Sequence, residues 1–275
     1  MKRCLIIGGS GFIGREIVTE FRKYGCEVTV PKRGDLSYFK TKFDIVVYAA
    51  GFGDCTKPMS VLDANTSFFA KVLFEVDYNH LILLSSTRIY MSSEVTSENA
   101  DLMIPFEDNR KLFNLSKMVS EELCRISKKN VTILRPSNVY GTAIESTLFL
   151  PMIIKNALLT GKIDMFVSPG YEKDYVSVDD VISIVSNVAM SDLQGLNIFN
   201  VASGHNISAQ TIANEIVKET SCEIIWHKGH VGERFTPIDI SYTKSNFKYD
   251  PKNLVMELPE IIQKFASHLL NRNSE

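Results

Sequence analysis

Gly8, Gly11 and Gly14 stand three residues apart, between an apolar run and a helix-period pattern. Cys4–Ile7 has the continuity of a buried strand, and Ile13, Ile17 and Phe21 fall on one face of the helix that follows. Such a turn can hold phosphate, because a helix opens with unpaired backbone N–H groups and the positive end of its dipole. Gly8 permits the tight turn, Gly11 lets the backbone approach a pyrophosphate, and Gly14 allows helix and strand to pack closely. Ser10, Phe12 and Ile13 complete the loop. Framed by a strand and a helix, the triplet predicts a dinucleotide site rather than a purely structural turn.

The second strand, Cys26–Val30, runs into Pro31-Lys32-Arg33. An acid at this point would hold the ribose hydroxyls of NAD. Two cations instead suit the 2′-phosphate of NADP, since guanidinium presents a planar fork to phosphate. Asp35, followed by Leu36, is an alternative ribose acceptor. NADP(H) is therefore favoured, with NAD(H) possible.

The elements that must position this chemistry alternate. Phe43–Gly51 reads as a buried strand ending in Ala49-Ala50-Gly51, and Leu81-Ile82-Leu83-Leu84 as another ending in Ser85-Ser86-Thr87. Residues 58–76 are expected to be helical, with Val61, Leu62, Phe68, Phe69, Val72 and Leu73 as apolar positions at helical spacing. A helix is also expected over 109–128, its apolar stripe formed by Leu112, Leu115, Val119, Leu123 and Ile126. Strands alternating with helices predict an α/β fold with a doubly wound, Rossmann-type parallel sheet, whose ligands sit at the carboxyl ends of the strands. Only a minimal strand or turn fits between Arg33 and Asp44. Beyond a strand at 131–134 the alternation loosens. Helices are expected over 149–160, from Asp174 onward with Ser177 and Asp180 as a capping pair, over 208–220 and over 258–270, with strands at 198–201 and 223–227. Residues 1–141 with about 176–202 would form the nucleotide-binding domain; about 142–175 with 203–275 would form a small lobe over the ligand edge.

Composition narrows the classes. Hydrophobic residues make up 45% of the 275, enough for a full core, which excludes disorder and a stapled mini-scaffold. A net charge of −2 gives no basic field for nucleic acid. Five cysteines without a C-x-x-C spacing argue for reduced thiols and a cytoplasmic address. No apolar stretch reaches the roughly 20 residues that span a bilayer. His205, His227 and His230 have no metal-ligand spacing, so no metal is expected.

Seven ordered pieces resemble the extended short-chain dehydrogenase/reductases, and within them the nucleotide-sugar epimerases, dehydratases and 4-reductases. They are the Gly8–Gly14 loop, Ala49-Ala50-Gly51, Ser85-Ser86-Thr87 with Tyr90, Ser116-Lys117 with Glu121, Arg135–Gly141, Lys173–Asp180 and Asn200–Gly204. The resemblance implies a nucleoside-diphosphate sugar substrate, hydride exchange with a nicotinamide cofactor, and a homodimer paired through helices 61–76 and 109–128. It places Ser85 by the cofactor and Thr87 as the hydroxyl donor on the sugar oxygen. Lys117 would hold the nicotinamide ribose, Pro136 would lie near the nicotinamide, and Asn138 near the phosphates of the substrate. Arg234 resembles the clamp on the nucleotide diphosphate, and Lys173 stands where an arginine is usual.

The resemblance also requires a tyrosine four residues before Lys117, and Phe113 stands there. A phenyl ring transfers no proton. Three readings account for it: a substitution that traps a complex, another acid/base with Tyr90 and Tyr140 as candidates, or binding without turnover. An NAD(P)-dependent sugar-nucleotide reductase or epimerase is the leading reading. The alternative is a catalytically silent NADP-binding sensor or interaction protein. Arg88 and Ile89 occupy the positions where dehydratases carry an elimination pair, which argues against dehydration.

Overall fold

A computed structural model describes residues 1–228 and 234–272. The chain opens with β1 (Arg3–Ile7), α1 (Phe12–Lys23), β2 (Glu27–Thr29) and β3 (Lys42–Tyr48). Next come α2 (Pro58–Leu62), α3 (Phe68–Glu75), β4 (Asp77–Leu84), α4 (Lys111–Ser127), β5 (Val131–Pro136) and β6 (Asn138–Tyr140). The later elements are α5 (Phe149–Thr160), β7 (Lys162–Met165), β8 (Glu172–Ser177), α6 (Val178–Met190) and β9 (Leu196–Val201). After them follow β10 (Asn206–Ser208), α7 (Ala209–Thr220), β11 (Glu223–Trp226), α8 (Ser241–Asn246) and α9 (Leu254–Arg272).

Six strands form one parallel sheet in the order β2-β1-β3-β4-β5-β9. β1 has β2 on one side and β3 on the other, so the loops leaving β1 and β3 diverge and open a crevice at their carboxyl ends. Side chains alternate across the sheet as strand geometry demands. Cys4 and Ile6 of β1 meet Ile17 and Phe21 of α1 and Val185 and Val188 of α6. Leu5 and Ile7 meet Phe69 and Val72 of α3 on the other face. Between β2 and β3 there is no further strand, only a 3₁₀ turn over Ser37–Lys40, so β2 is the sheet edge.

A second core lies among α5, α7 and α9, with Ile153, Ile154, Ile212, Ile216, Leu258 and Phe265 buried in it. It is flanked by the sheet β10-β8-β6 and the pair β11-β7. Ile238, Ile240 and Tyr249 pack instead into the core shared by α1, α6 and β9.

Two expectations change. Asp174–Ser177 belongs to β8, not to a helix opening, because it pairs with β10 and β6 on its two edges. The helix starts at Val178, capped by Ser177 Oγ accepting from the N–H of Asp180 at 3.0 Å. The helix over 58–76 is interrupted by a π turn at Asp63–Ser67. In α4 the polar side faces inward: Asn114, Ser116, Lys117, Ser120 and Glu121 are buried, while Leu115, Val119 and Ile126 are 43%, 46% and 51% exposed. Among the described residues no helix is long and apolar enough to cross a membrane.

Candidate active site

The crevice over β1 and β3 is a cleft of about 440 Å³, lined on one wall by Gly11, Phe12, Ile13, Gly14, Ala49 and Gly51. Gly8 has φ +84°, and a Cβ there would lie 2.6 Å from the backbone N of Ala50. A Cβ on Gly14 would lie 2.1 Å from the carbonyl oxygen of Gly8. Both positions therefore exclude any side chain. The N–H of Gly11 closes the turn on the Gly8 oxygen at 2.9 Å. α1 begins without a side-chain cap and without an acid in its first turn, so its opening amides and dipole face the cleft. This arrangement fits a dinucleotide pyrophosphate. Ser10, exposed, sits at the loop tip.

Lys32, Arg33, Asp35 and Leu36 are exposed beyond the edge strand and do not line the cleft. Gly9 packs against Val30, so this segment adjoins the glycine loop: a Cβ at Gly9 would fall 2.8 Å from Val30 Cγ1. The Asp35 carboxylate accepts the N–H of Ser37 at 2.9 Å, which holds it below the usual carboxylate range.

Thr87, Phe113, Asn138 and Lys173 line the opposite part of the cleft. Lys117 lies just beneath, 5% exposed, its Nζ donating to the Leu84 carbonyl at 2.9 Å and lying 5.9 Å from the Phe113 ring centre. A Cβ on Gly51 would come within 3.5 Å of this ammonium. Burial pushes Lys117 down to about 8, against the opposing pull of Glu121. In the unfolded chain it returns to about 10.4. Between those values the unfolded state binds more protons, so this lysine makes stability rise with pH. Denaturant unfolding of wild type and Lys117→Met is expected to show a difference that shifts in favour of wild type from pH 8 to about 10.4 and is flat below pH 8. A flat difference across the whole range would contradict it.

Other predicted residues lie elsewhere. Ser85 is turned from the cleft, its hydroxyl donating to Glu121 Oε1 at 2.5 Å. Pro136 is buried at the end of β5 and does not line the cleft. Arg234 is exposed and outside the lining, though Phe235 and Thr236 beside it are within it. Neither substitute phenol serves. Tyr90 is 2% exposed, donates to Asn200 Oδ1 at 3.0 Å, bonds Arg135, and is pushed up to about 12 by burial. Tyr140 is buried against Glu257, which also raises it. Of the three histidines, His230 lies outside the described residues. Among the described residues no three His, Cys, Asp or Glu groups gather as a metal site.

Several groups escaped the sequence reading. Asn65, in the π turn and 1% exposed, exchanges hydrogen bonds with Phe52 N–H and C=O at 3.0 Å each and donates to Ser116 Oγ at 2.9 Å. It ties the loop after β3 to α4. Its signal was an amide midway between Val61 and Phe69 on an apolar helix face. Arg110 lies over the Phe113 ring at 4.8 Å. Asp108, its side chain fully buried, accepts both Arg88 Nη atoms at 3.0 Å, the Arg110 N–H at 2.8 Å and Asn114 Nδ2 at 2.8 Å. Burial alone would raise this carboxyl, but those donors hold it below the usual range.

The model of the NAD dependent epimerase/dehydratase family matches residues 4–202. GDP-6-deoxy-D-talose 4-dehydrogenase from Aggregatibacter actinomycetemcomitans is 24% identical over 249 residues, which cover 82% of this chain and 81% of that protein. MoeE5, solved in complex with UDP-glucose and NAD, superposes with a TM-score of 0.85 at 19% identity, covering 97% of this chain and 99% of its own. RMD from Pseudomonas aeruginosa, complexed with NADPH, superposes at 0.77 with 16% identity, covering 98% and 100%.

Proposed function

This chain belongs to the NAD dependent epimerase/dehydratase family, and we propose that it exchanges hydride between a nicotinamide dinucleotide and a sugar carbon of a nucleoside-diphosphate sugar. The observation that carries the reading is one cleft that joins a side-chain-free pyrophosphate turn to Thr87, with Lys117 buried beneath. When bound, the nicotinamide ring supplies or accepts the hydride. The amides of Phe12 and Ile13 hold the pyrophosphate, and Gly8, Ala49, Ala50 and Gly51 let it lie against backbone. Lys117 holds the nicotinamide ribose and contributes positive charge, while the Thr87 hydroxyl hydrogen-bonds the sugar oxygen. Asn138 and Lys173 face the diphosphate, with Arg234 next to the segment that closes the cleft. The Lys173 ammonium stands between the rings of Tyr171 and Phe235, at 4.9 and 5.0 Å.

Lys32 and Arg33 favour NADP(H) over NAD(H), since Asp35 is engaged by its own turn. Arg88, paired with Asp108, and Ile89, in the core, give no elimination acid or base, which supports reduction or epimerisation. The lobe around α5, α7 and α9 supplies the sugar side. The exposed Leu115, Val119 and Ile126 of α4, with the exposed Leu62 of α2 and Phe74 of α3 on helices that contact α4, support a homodimer through these helices. The five cysteines are unpaired, as suits a cytoplasmic protein.

Thermal unfolding with each oxidised and reduced form of NAD and NADP, then with UDP-, GDP-, CDP- and dTDP-sugars, tests the reading. Saturating cofactor at a hundredfold above its Kd stabilises by about 2.7 kcal/mol, and one class of sugar is expected to add to it. Stabilisation by cofactor with none from any sugar would overturn the enzymatic assignment.

A further inference from the structure

We propose that Cys4 and Cys26 form an oxidisable dithiol at the amino ends of β1 and β2, which a peroxide converts to a reversible disulfide. The pair lies outside the cleft and does not depend on which sugar binds there. The parallel register sets Arg3 against Glu27 and Cys4 against Val28. Cys26 therefore stands two positions before the partner of Cys4, and side chains two apart in a strand share a face. Backbone bonds hold the approach. The N–H of Cys26 donates to the Phe21 carbonyl at 3.1 Å, and that of Glu27 to the Lys2 carbonyl at 3.0 Å. Cys4 Sγ in turn lies 4.0 Å from the Lys2 carbonyl oxygen. Cys26 packs against the core cluster that contains Cys4, and the two thiols share a hydrogen bond.

The other cysteines are kept apart from this pair. Cys222 is buried in the core among α5, α7 and α9, Cys124 in the core beneath α3, and Cys55 follows β3 in a loop. β2 is an edge strand of three residues paired only with β1, so it can close on β1 without dragging a second strand. The bond would enclose the glycine turn and all of α1 in one loop.

Exposure orders the chemistry. Cys4 is fully buried and Cys26 half-buried, so the peroxide meets Cys26 first. Burial, and then the neighbouring Cys26, pushes Cys4 up to about 12, which bars it from being the first nucleophile. The Cys26 sulfur attacks one oxygen of hydrogen peroxide, the O–O bond breaks, and one water leaves as the sulfenic acid forms. The Cys4 sulfur then attacks the Cys26 sulfur and the S–O bond breaks. The Cys4 proton departs with the hydroxide as a second water. Two thiols thereby lose two electrons and two protons to one peroxide. A small thiol such as dithiothreitol restores them by exchange.

Peptide mapping of the full chain after hydrogen peroxide treatment under native conditions tests this. Trypsin cuts after Arg3, Arg15, Lys23 and Lys32, so the disulfide joins peptide 4–15 to peptide 24–32. That linked pair is expected to be the main disulfide, to vanish with dithiothreitol and to be absent from Cys26→Ser. The urea midpoint of the wild type is expected to rise on oxidation, because a closed loop restricts the unfolded chain, and that of Cys26→Ser to show no such rise. Failure to find the linked pair, with Cys26 carried on to sulfinic acid or left as a thiol, would overturn the inference. So would a bond from Cys26 to Cys55, Cys124 or Cys222, or a Cys4–Cys26 bond that forms only in chain unfolded by urea.

Discussion

Phe113→Tyr is expected to raise turnover by about 10²–10⁴-fold, the usual worth of a positioned general acid/base. The residue lines the cleft with Thr87, and its ring lies between Arg110 at 4.8 Å and Lys117 at 5.9 Å. A phenol titrates near 10 when free. Two neighbouring cations favour phenolate, bringing it toward neutrality, where it can accept and return a proton. Neither Tyr90 nor Tyr140 can stand in, since both hydroxyls are engaged away from the cleft and burial favours their neutral forms. The measurement is steady-state turnover on a sugar first identified by binding, wild type against variant, with unfolding checked in parallel. Stability is expected to change by no more than about 0.5 kcal/mol, because Phe113 is only part-buried and lines the cleft rather than the core. An unchanged rate on a confirmed substrate would remove this position from the mechanism.

Glu121→Ala is expected to cost about 3–5 kcal/mol of folding stability, because it strands a buried guanidinium. Arg135 is 3% exposed and grips Glu121 through Nε at 3.1 Å and Nη2 at 2.6 Å. Ser85 donates to the same carboxylate, and Arg135 also reaches Tyr90 and the carbonyl of Glu98. The network therefore joins the ends of β4 and β5 to α4 one turn below Lys117. Replacing both ions, as Glu121→Leu with Arg135→Met, is expected to recover most of the loss, since packed apolar pairs often match a buried ion pair. Urea unfolding of the single and double variants checks this. A loss below about 1 kcal/mol in Glu121→Ala would show that the surroundings solvate the arginine without its partner.

Much of the glycine-turn side of the cleft was legible because it is local. The turn excludes a side chain at Gly8 and Gly14, with a strand just before it and a helix opening within it. Helix 149–160 was readable to the residue, and Ser177 capped as its spacing implied, since caps and periodicity are decided within one or two turns. The part of the cleft around Phe113 was not legible. Asp108, Arg110 and Asn65 act through partners that the folded chain brings together, and no pattern of spacing announces them.

α4 marks the boundary between the two kinds of information. Its sequence determined a helix with an apolar stripe, and hydrophobic burial alone would lay Leu115, Val119 and Ile126 on the sheet. The fold buries the opposite face, because Asn65, Leu84 and Ser85 offer partners to Ser116, Ser120, Lys117 and Glu121. A buried polar group is tolerated when its hydrogen bonds are supplied from another element. Residue order alone thus determined that a tight glycine turn at the head of a helix and a parallel sheet would form. Only the tertiary structure decided which side of α4 faces inward, since that depends on partners 33 to 55 positions away in the chain.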